Sequence, residues 1–271
     1  MNWFVYNRML IPDKAPHEEI DLTGVEEKLK KSNALMARYT ANFDCGYETQ
    51  WWYVIKDDKM DLTQIKSKYR REVISGINNT NVKIINKEIY YNEMFELFSI
   101  VMGQRPQHKG KDMEVIFNNS LIQSNKNIDI WGVFLKESDK LVSYAVIDKY
   151  EEYVSFSEFF FNDAYLKYKI SNALVYTLSK YYLNDESKRY VCDGERSINH
   201  PTNIQSYLIR TFGFRKAYCE LRVIYRNRFI HLIVRVLYLF KSLIFKFKDM
   251  SVFSRNLYSL LKQEEIQRSF N

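Results

Sequence analysis

The order of elements between residues 82 and 226 limits the fold more than any other feature. Three strand-like runs, DIWGVFLK, KLVSYAVID and YVSFSEFFFN, follow one another across the short polar turns ESD and DKYEE. Alternating, aromatic-rich runs joined by short turns predict a three-strand meander. The pattern then switches to helix (YKISNALVYTLSKYYL), short strand (RYVCDG), helix (NIQSYLIRTFGF) and a last strand (KAYCELRVIY). Gly213 closes the second of these helices in the usual C-terminal glycine position. Upstream, VKIIN reads as a strand and DMEVIFNNSLIQS as a short helix. EIYYNEMFELFSIVMG reads as a helix with Tyr90, Met94, Phe95, Phe98 and Val101 on one side. A meander followed by alternating helices and strands predicts an α/β (α+β) fold, with a mixed central sheet flanked by helices on both faces.

Residues before this region carry two strand-like runs, NWFVYNRML and ETQWWYVI, and a helix-like GVEEKLKKSNALMARY between them. Over 61–78, Leu62, Ile65, Tyr69 and Val73 recur at helical spacing behind Asp61, a candidate N-cap. Lys66, Lys68, Arg70 and Arg71 lie on and around the other face. The expected division is an extension over 1–80 packing on the core, a core over 81–226, and a basic helical tail over 227–271.

Charge is distributed unevenly. The net charge is +7, yet residues from Arg226 onward hold nine Lys/Arg against three acids, and the preceding 225 residues are nearly balanced. The basicity belongs to the tail, so general nucleic-acid binding explains it poorly. Cys45, Cys192 and Cys219 are few, distant and without zinc-ligand spacing, which predicts reduced thiols and no metal. The N-terminus has no basic-then-apolar leader, so the expected location is cytoplasmic.

The element order resembles that of the GNAT acyltransferases. TNIQSYLIRTFGF is similar to that family's fourth helix, and KAYCELRVIY to its last strand. The run 66–85, KSKYRREVISGINNTNVKII, resembles the basic helix and next strand of the FemAB-like branch. This likeness implies direct acyl transfer, in a gap between the fourth and fifth core strands, from acetyl-CoA or another acyl-CoA to an amine. An amino sugar or lipid-linked sugar of a surface polysaccharide or cell-wall precursor is the implied acceptor. The FemAB-like alternative is aminoacyl transfer from aminoacyl-tRNA, the one case in which a nucleic acid enters. A third possibility is a catalytically silent GNAT-fold scaffold at a membrane. The sequence departs from the GNAT pattern where a glycine-rich loop should cradle pyrophosphate at a helix N-terminus. NDAYLKYKISNAL stands there, with no glycine between Gly132 and Gly194. Lys167, Lys169 and Ser171 are the candidate phosphate ligands, and Phe161 borders the expected gap.

Four residues are candidates for the chemistry. Glu158 is an acid within an apolar strand, where desolvation raises a carboxyl pKa; simple alternation places it with Phe156 and Phe160. Asp193 ends a strand, at the sheet edge where such folds bind ligands. His200 precedes Pro201 near a helix start and has a pKa suited to acid–base work. Tyr207 is a possible general acid, although the usual family tyrosine position is occupied by Ile209. Arg70 and Arg71 are candidates for an anionic substrate, and Trp52, beside Trp51, for a carbohydrate platform.

The tail has its own signature. Within 227–248, Phe229, Leu232, Ile233, Val236, Leu237, Phe240, Leu243, Ile244 and Phe247 fill an arc of about 140° on a continuous helix. Arg228, His231, Arg235, Ser242 and Lys246 lie opposite. Charges interrupt the run too often for a spanning helix. The pattern predicts an in-plane amphipathic helix against an anionic membrane surface, which places the protein peripherally on the inner face of the cytoplasmic membrane.

Overall fold

The computed structural model describes residues 2–103, 110–123, 127–198 and 203–270. The N-terminal elements are β1 (Trp3–Tyr6), β2 (Met9–Pro12), α1 (Val25–Lys31), β3 (Met36–Ala41), β4 (Trp51–Lys56) and α2 (Ser67–Asn79). Then come β5 (Thr80–Ile85), α3 (Tyr91–Gly103), α4 (Met113–Gln123), β6 (Ile128–Leu135), β7 (Leu141–Lys149) and β8 (Tyr153–Phe161). The chain continues through α5 (Ile170–Lys180), β9 (Tyr190–Glu195), α6 (Asn203–Phe212) and β10 (Arg215–Tyr225). It ends with α7 (Arg228–Leu239), α8 (Lys241–Lys246) and α9 (Val252–Arg268).

Two compact units result, each discontinuous in sequence. One comprises Met1–Tyr53, Glu195–Asn203 and Lys216–Asn271; the other comprises Val54–Gly194 and Ile204–Arg215. The expected bounds at 80 and 226 do not coincide with them. The helix α2 counts with the second unit, and nearly all of β10 with the first.

In the first unit, NWFVYNRML is not one strand. Asn7 and Arg8 both take the left-handed conformation, with φ 47° and 62°, the geometry of a two-residue hairpin turn. It folds β1 back onto β2. The strand β2 runs parallel to β3, which pairs antiparallel with β10 from Ala41↔Glu220 to Met36↔Tyr225. GVEEKLKKSNALMARY is likewise divided. The Ser32 hydroxyl donates to Leu29 O and accepts from Ala34 N, ending α1. Pairing with β10 then holds Met36–Ala41 extended. Trp51, Cys219 and Leu221 form a core with Ile266 of α9. Tyr225 donates to Glu264 Oε2 at 2.6 Å and Arg268 Nε to Glu264 Oε1 at 2.7 Å, so the buried carboxylate ties α9 to β10. The tail is two helices where one was expected over 227–248, because α7 stops and Phe240 leaves helical geometry (φ −101°, ψ 14°).

In the second unit the strands lie in the order β9-β8-β7-β6-β5. All neighbours are antiparallel except β8 and β9, which are parallel. This is the mixed sheet expected. One face packs against α3 and α4, where Met94, Phe98 and Phe117 meet Ile130, Tyr144, Val146 and Phe160. The other face carries Trp131, which packs on Tyr181 and Tyr182 directly after α5. Gly213, with φ 72°, follows α6 in the left-handed conformation expected of a closing glycine. Asp61 caps only a short 3-10 turn, accepting from Thr63 N at 2.8 Å, and the helix begins later, at Ser67.

A polar network crosses this second core. Tyr182 donates to Asp129 Oδ2 at 2.7 Å and accepts from Trp131 Nε1 at 2.9 Å. Tyr182→Phe leaves the buried indole N–H unpaired and removes a bond to a carboxylate, so we expect a loss of about 2 kcal/mol in urea unfolding. A variant of unchanged stability would show that the network contributes nothing.

Candidate functional site

The strands β8 and β9 share a ladder of only three pairs, Tyr153↔Tyr190, Val154↔Val191 and Ser155↔Cys192. Beyond it β8 continues to Phe161 along β7, while β9 continues through Asp193 and Gly194. The pairing stops where Asp193 begins, and the two parallel strands no longer bridge one another.

A bulge sets which side chains reach each face. On β7, Val146 pairs with Glu158 and Ile147 with Phe156, so Ser157 has no counterpart. One extra residue reverses the alternation. Glu158 therefore shares the α3/α4 face with Phe160, Tyr144 and Val146, while Phe156, Phe159 and Phe161 share the opposite face. Ring contacts agree: Phe156 meets Phe159 edge-on at 5.2 Å, and Phe159 stacks on Phe161 at 5.7 Å. The expected grouping of Glu158 with Phe156 is thus corrected. Glu158 lies near the buried Tyr144 hydroxyl, whose pKa is raised first by burial and then by this carboxylate.

Asp193 lies on the other face. Val191 pairs with Val154, and two residues further along, Asp193 shares their side with Phe156. Burial pushes its carboxyl up to about 7. The sheet separates Asp193 from Glu158, so the two carboxylates do not form one acid–base pair.

The N-terminus of α5 is built differently from a glycine loop. A 3-10 segment, Asp163–Tyr168, leads into Lys169, which takes the left-handed conformation with φ 59°. No side chain caps the helix, so the amides of its first turn are left without intrahelical partners. The helix α2 closes over this point. A Cβ on Gly76 would lie 2.5 Å from Lys169 O and 3.1 Å from both Ala173 N and Cβ. Glu72, on the same helix, sits 3.4 Å from Lys169 Nζ. A carboxylate of the protein itself therefore holds the lysine expected to bind phosphate. Lys167 is exposed and rests on Tyr168, 5.1 Å from its centroid.

From α6, Tyr207 directs a buried hydroxyl toward this region. It packs edge-on against Phe212 at 5.5 Å. Burial pushes the phenol up to about 12; Ser171, in the first turn of α5, lies close enough to act in the opposite direction. Ser171 does not reach hydrogen-bond geometry, and the Tyr207 oxygen has no partner among the described residues. Arg70 is committed elsewhere, donating to Thr63 O at 2.7 Å and Ile65 O at 3.0 Å. Arg71 is exposed. Trp52 belongs to the first unit, with Lys216 Nζ 4.0 Å and Arg196 Cζ 4.6 Å from its ring. His200 falls outside the described residues. No group of three His, Cys, Asp or Glu side chains able to hold a metal ion occurs among the described residues.

Glu72 and Gly76 were not singled out from sequence. Their signal was a glycine inside an amphipathic helix, which marks close backbone approach, and a single acid among basic neighbours.

No known family model and no curated protein matches the chain. Among solved structures, FemX is 11% identical, with 72% of this chain and 73% of that one covered at a TM-score of 0.53. The C-terminal domain of a putative lysylphosphatidylglycerol synthetase from Agrobacterium fabrum is 10% identical, with 83% and 80% covered at a TM-score of 0.50. At such identities the likeness is one of fold. The chain shares a GNAT-like fold with them.

Proposed function

We propose that the protein transfers an acyl group, of aminoacyl type, from an oxygen ester to an amine beside the end of the β8/β9 ladder. Asp193 carries this reading, because its carboxyl titrates near 7 at the point where the parallel strands cease to pair. A base with that pKa accepts a proton at neutral pH and remains a usable proton donor. The amine nitrogen attacks the ester carbonyl, forming the C–N bond as the C–O bond breaks. Asp193 takes the proton from nitrogen, and Tyr207 supplies one to the departing oxygen.

Two observations favour an oxygen ester over the thioester of acyl-CoA. A phenol near 12 matches a sugar alkoxide in basicity, whereas a thiolate leaving group, with a thiol pKa of about 8.5, has little need of it. Glu72 also occupies Lys169, so that lysine is not a free cation to hold a pyrophosphate at the α5 N-terminus. An aminoacyl-tRNA fits both. One fold neighbour is named as a domain of a putative lysylphosphatidylglycerol synthetase, whose named product is an aminoacyl lipid, and we extend an aminoacyl group on a lipid-linked acceptor to this chain.

The test offers the purified protein aminoacyl-tRNA pools and acyl-CoAs in parallel. We expect protein-dependent loss of an aminoacyl ester and no thermal shift with acetyl-CoA. A donor at about 100 times its Kd adds about 2.7 kcal/mol of stability, so a shift with acetyl-CoA would be plain. Such a shift, with transfer, overturns the ester reading. Failure to consume any donor favours the scaffold.

A further inference from the structure

We infer that the α7–α8 face of the first unit, together with the turn leading to α9, docks on an anionic lipid bilayer. The stripe expected over 227–248 divides in the folded chain. Val234, with Leu237 and Tyr238 beside it, turns inward, while Phe229, Leu232, Ile233, Val236, Leu239 and Phe240 face solvent. Leu239 is 78% exposed and Phe229 69%. The apolar surface continues past the expected segment. Met250, Val252 and Phe253, at the turn from α8 to α9, are each more than 70% exposed. Isolated exposed apolar residues are ordinary, but a continuous series marks an interaction surface.

The surroundings of this patch decide what covers it. From Arg226 to Lys248 the chain has six cations and no acid. At 100° per residue, Arg228 and Arg235 border the exposed apolar arc on one side. Both are exposed, as are Lys246 and Lys248, and among the described residues Arg228, Arg235 and Lys246 form no ion pair. Bulky apolar side chains edged by unpaired cations match an acyl boundary beneath anionic headgroups. The surface is also fixed in advance. Phe245 packs edge-on against Tyr258 at 4.8 Å, Lys241 bonds Glu265 Oε1 at 2.7 Å, and Arg268 lies 4.3 Å from the Tyr238 ring. The helix α9 thereby braces α7 and α8, so docking requires no folding step. Among the described residues no helix is long and apolar enough to cross a membrane, and we read the contact as in-plane.

Flotation of the full chain with vesicles tests this independently of any transfer activity. The protein should float with phosphatidylcholine vesicles containing phosphatidylglycerol, and about tenfold less with phosphatidylcholine alone. Leu239→Glu combined with Phe253→Glu should abolish flotation with an unchanged melting curve, since both side chains are exposed. Arg228→Glu combined with Arg235→Glu should remove the preference for anionic vesicles while keeping the fold. Wild type that stays at the bottom with anionic vesicles overturns the proposal, as does L239E/F253E that floats like wild type. Sedimentation showing a dimer that L239E/F253E dissociates would assign the face to a second copy and overturn it too.

Discussion

Asp193→Asn should make the protein more stable than wild type at pH 8 and leave it unchanged near pH 3.5. The carboxyl has a folded pKa of about 7 against 3.8 for the free group, and the cause is burial. Between those values the native state holds a proton that the unfolded state has released. Unfolding stability therefore falls as pH rises from about 4 to about 7, then levels off. The loss across that window is at most about 4 kcal/mol, since each unit of pKa corresponds to about 1.4 kcal/mol. An amide has no such charge, so the variant lacks this fall. Urea unfolding at several pH values reads the difference directly. Curves for the two proteins that stay parallel from acid to alkaline pH would mean that Asp193 is not held in a desolvated position. A destabilised position of this kind is what a fold tolerates where function requires it.

Gly76→Ala should destabilise the protein by about 2 to 3 kcal/mol. At an ordinary exposed helix position the same change gains about 1 kcal/mol through propensity. Here the new methyl would sit 2.5 Å from Lys169 O, a backbone atom that cannot swing away. The helix α2 must then withdraw from α5, and overpacking of this kind costs more than propensity returns. Because Gly76 and Glu72 lie on the same helix, the variant should also loosen the Glu72–Lys169 contact, itself a partly exposed pair worth about 1 kcal/mol or less. Unfolding midpoints measure the first effect. A G76A protein as stable as wild type would place α2 farther from α5 than described.

Much of the architecture was legible in the sequence because its signals are local. Period-two runs marked β6, β7 and β8, Gly213 marked the end of α6, and Asp193-Gly194 marked the end of a strand. What escaped depends on partners distant in the chain. The bulge at Ser157 is set by the register with β7, and nothing within YVSFSEFFFN shows it. Alternation therefore put Glu158 on the face of Phe156, opposite its true place. Residues 36–39 read as the end of a helix, and only pairing with β10 makes them part of a strand. The break at Phe240, where the backbone leaves helical geometry, interrupts an apolar periodicity that is itself unbroken in the sequence. For the candidate site, Asp193, Tyr207 and Ser171 could be named from sequence. The part played by Glu72 could not, since it arises from a helix crossing.

The most direct test is the single-turnover rate of aminoacyl transfer, measured across neutral pH for wild type and Asp193→Asn. The wild-type rate should rise with an apparent pKa of about 7 and then level off. The variant should be slower by about 10²- to 10⁴-fold, with that rise absent. A D193N protein that transfers at the wild-type rate, with the same rise through pH 7, contradicts a reaction centred on Asp193.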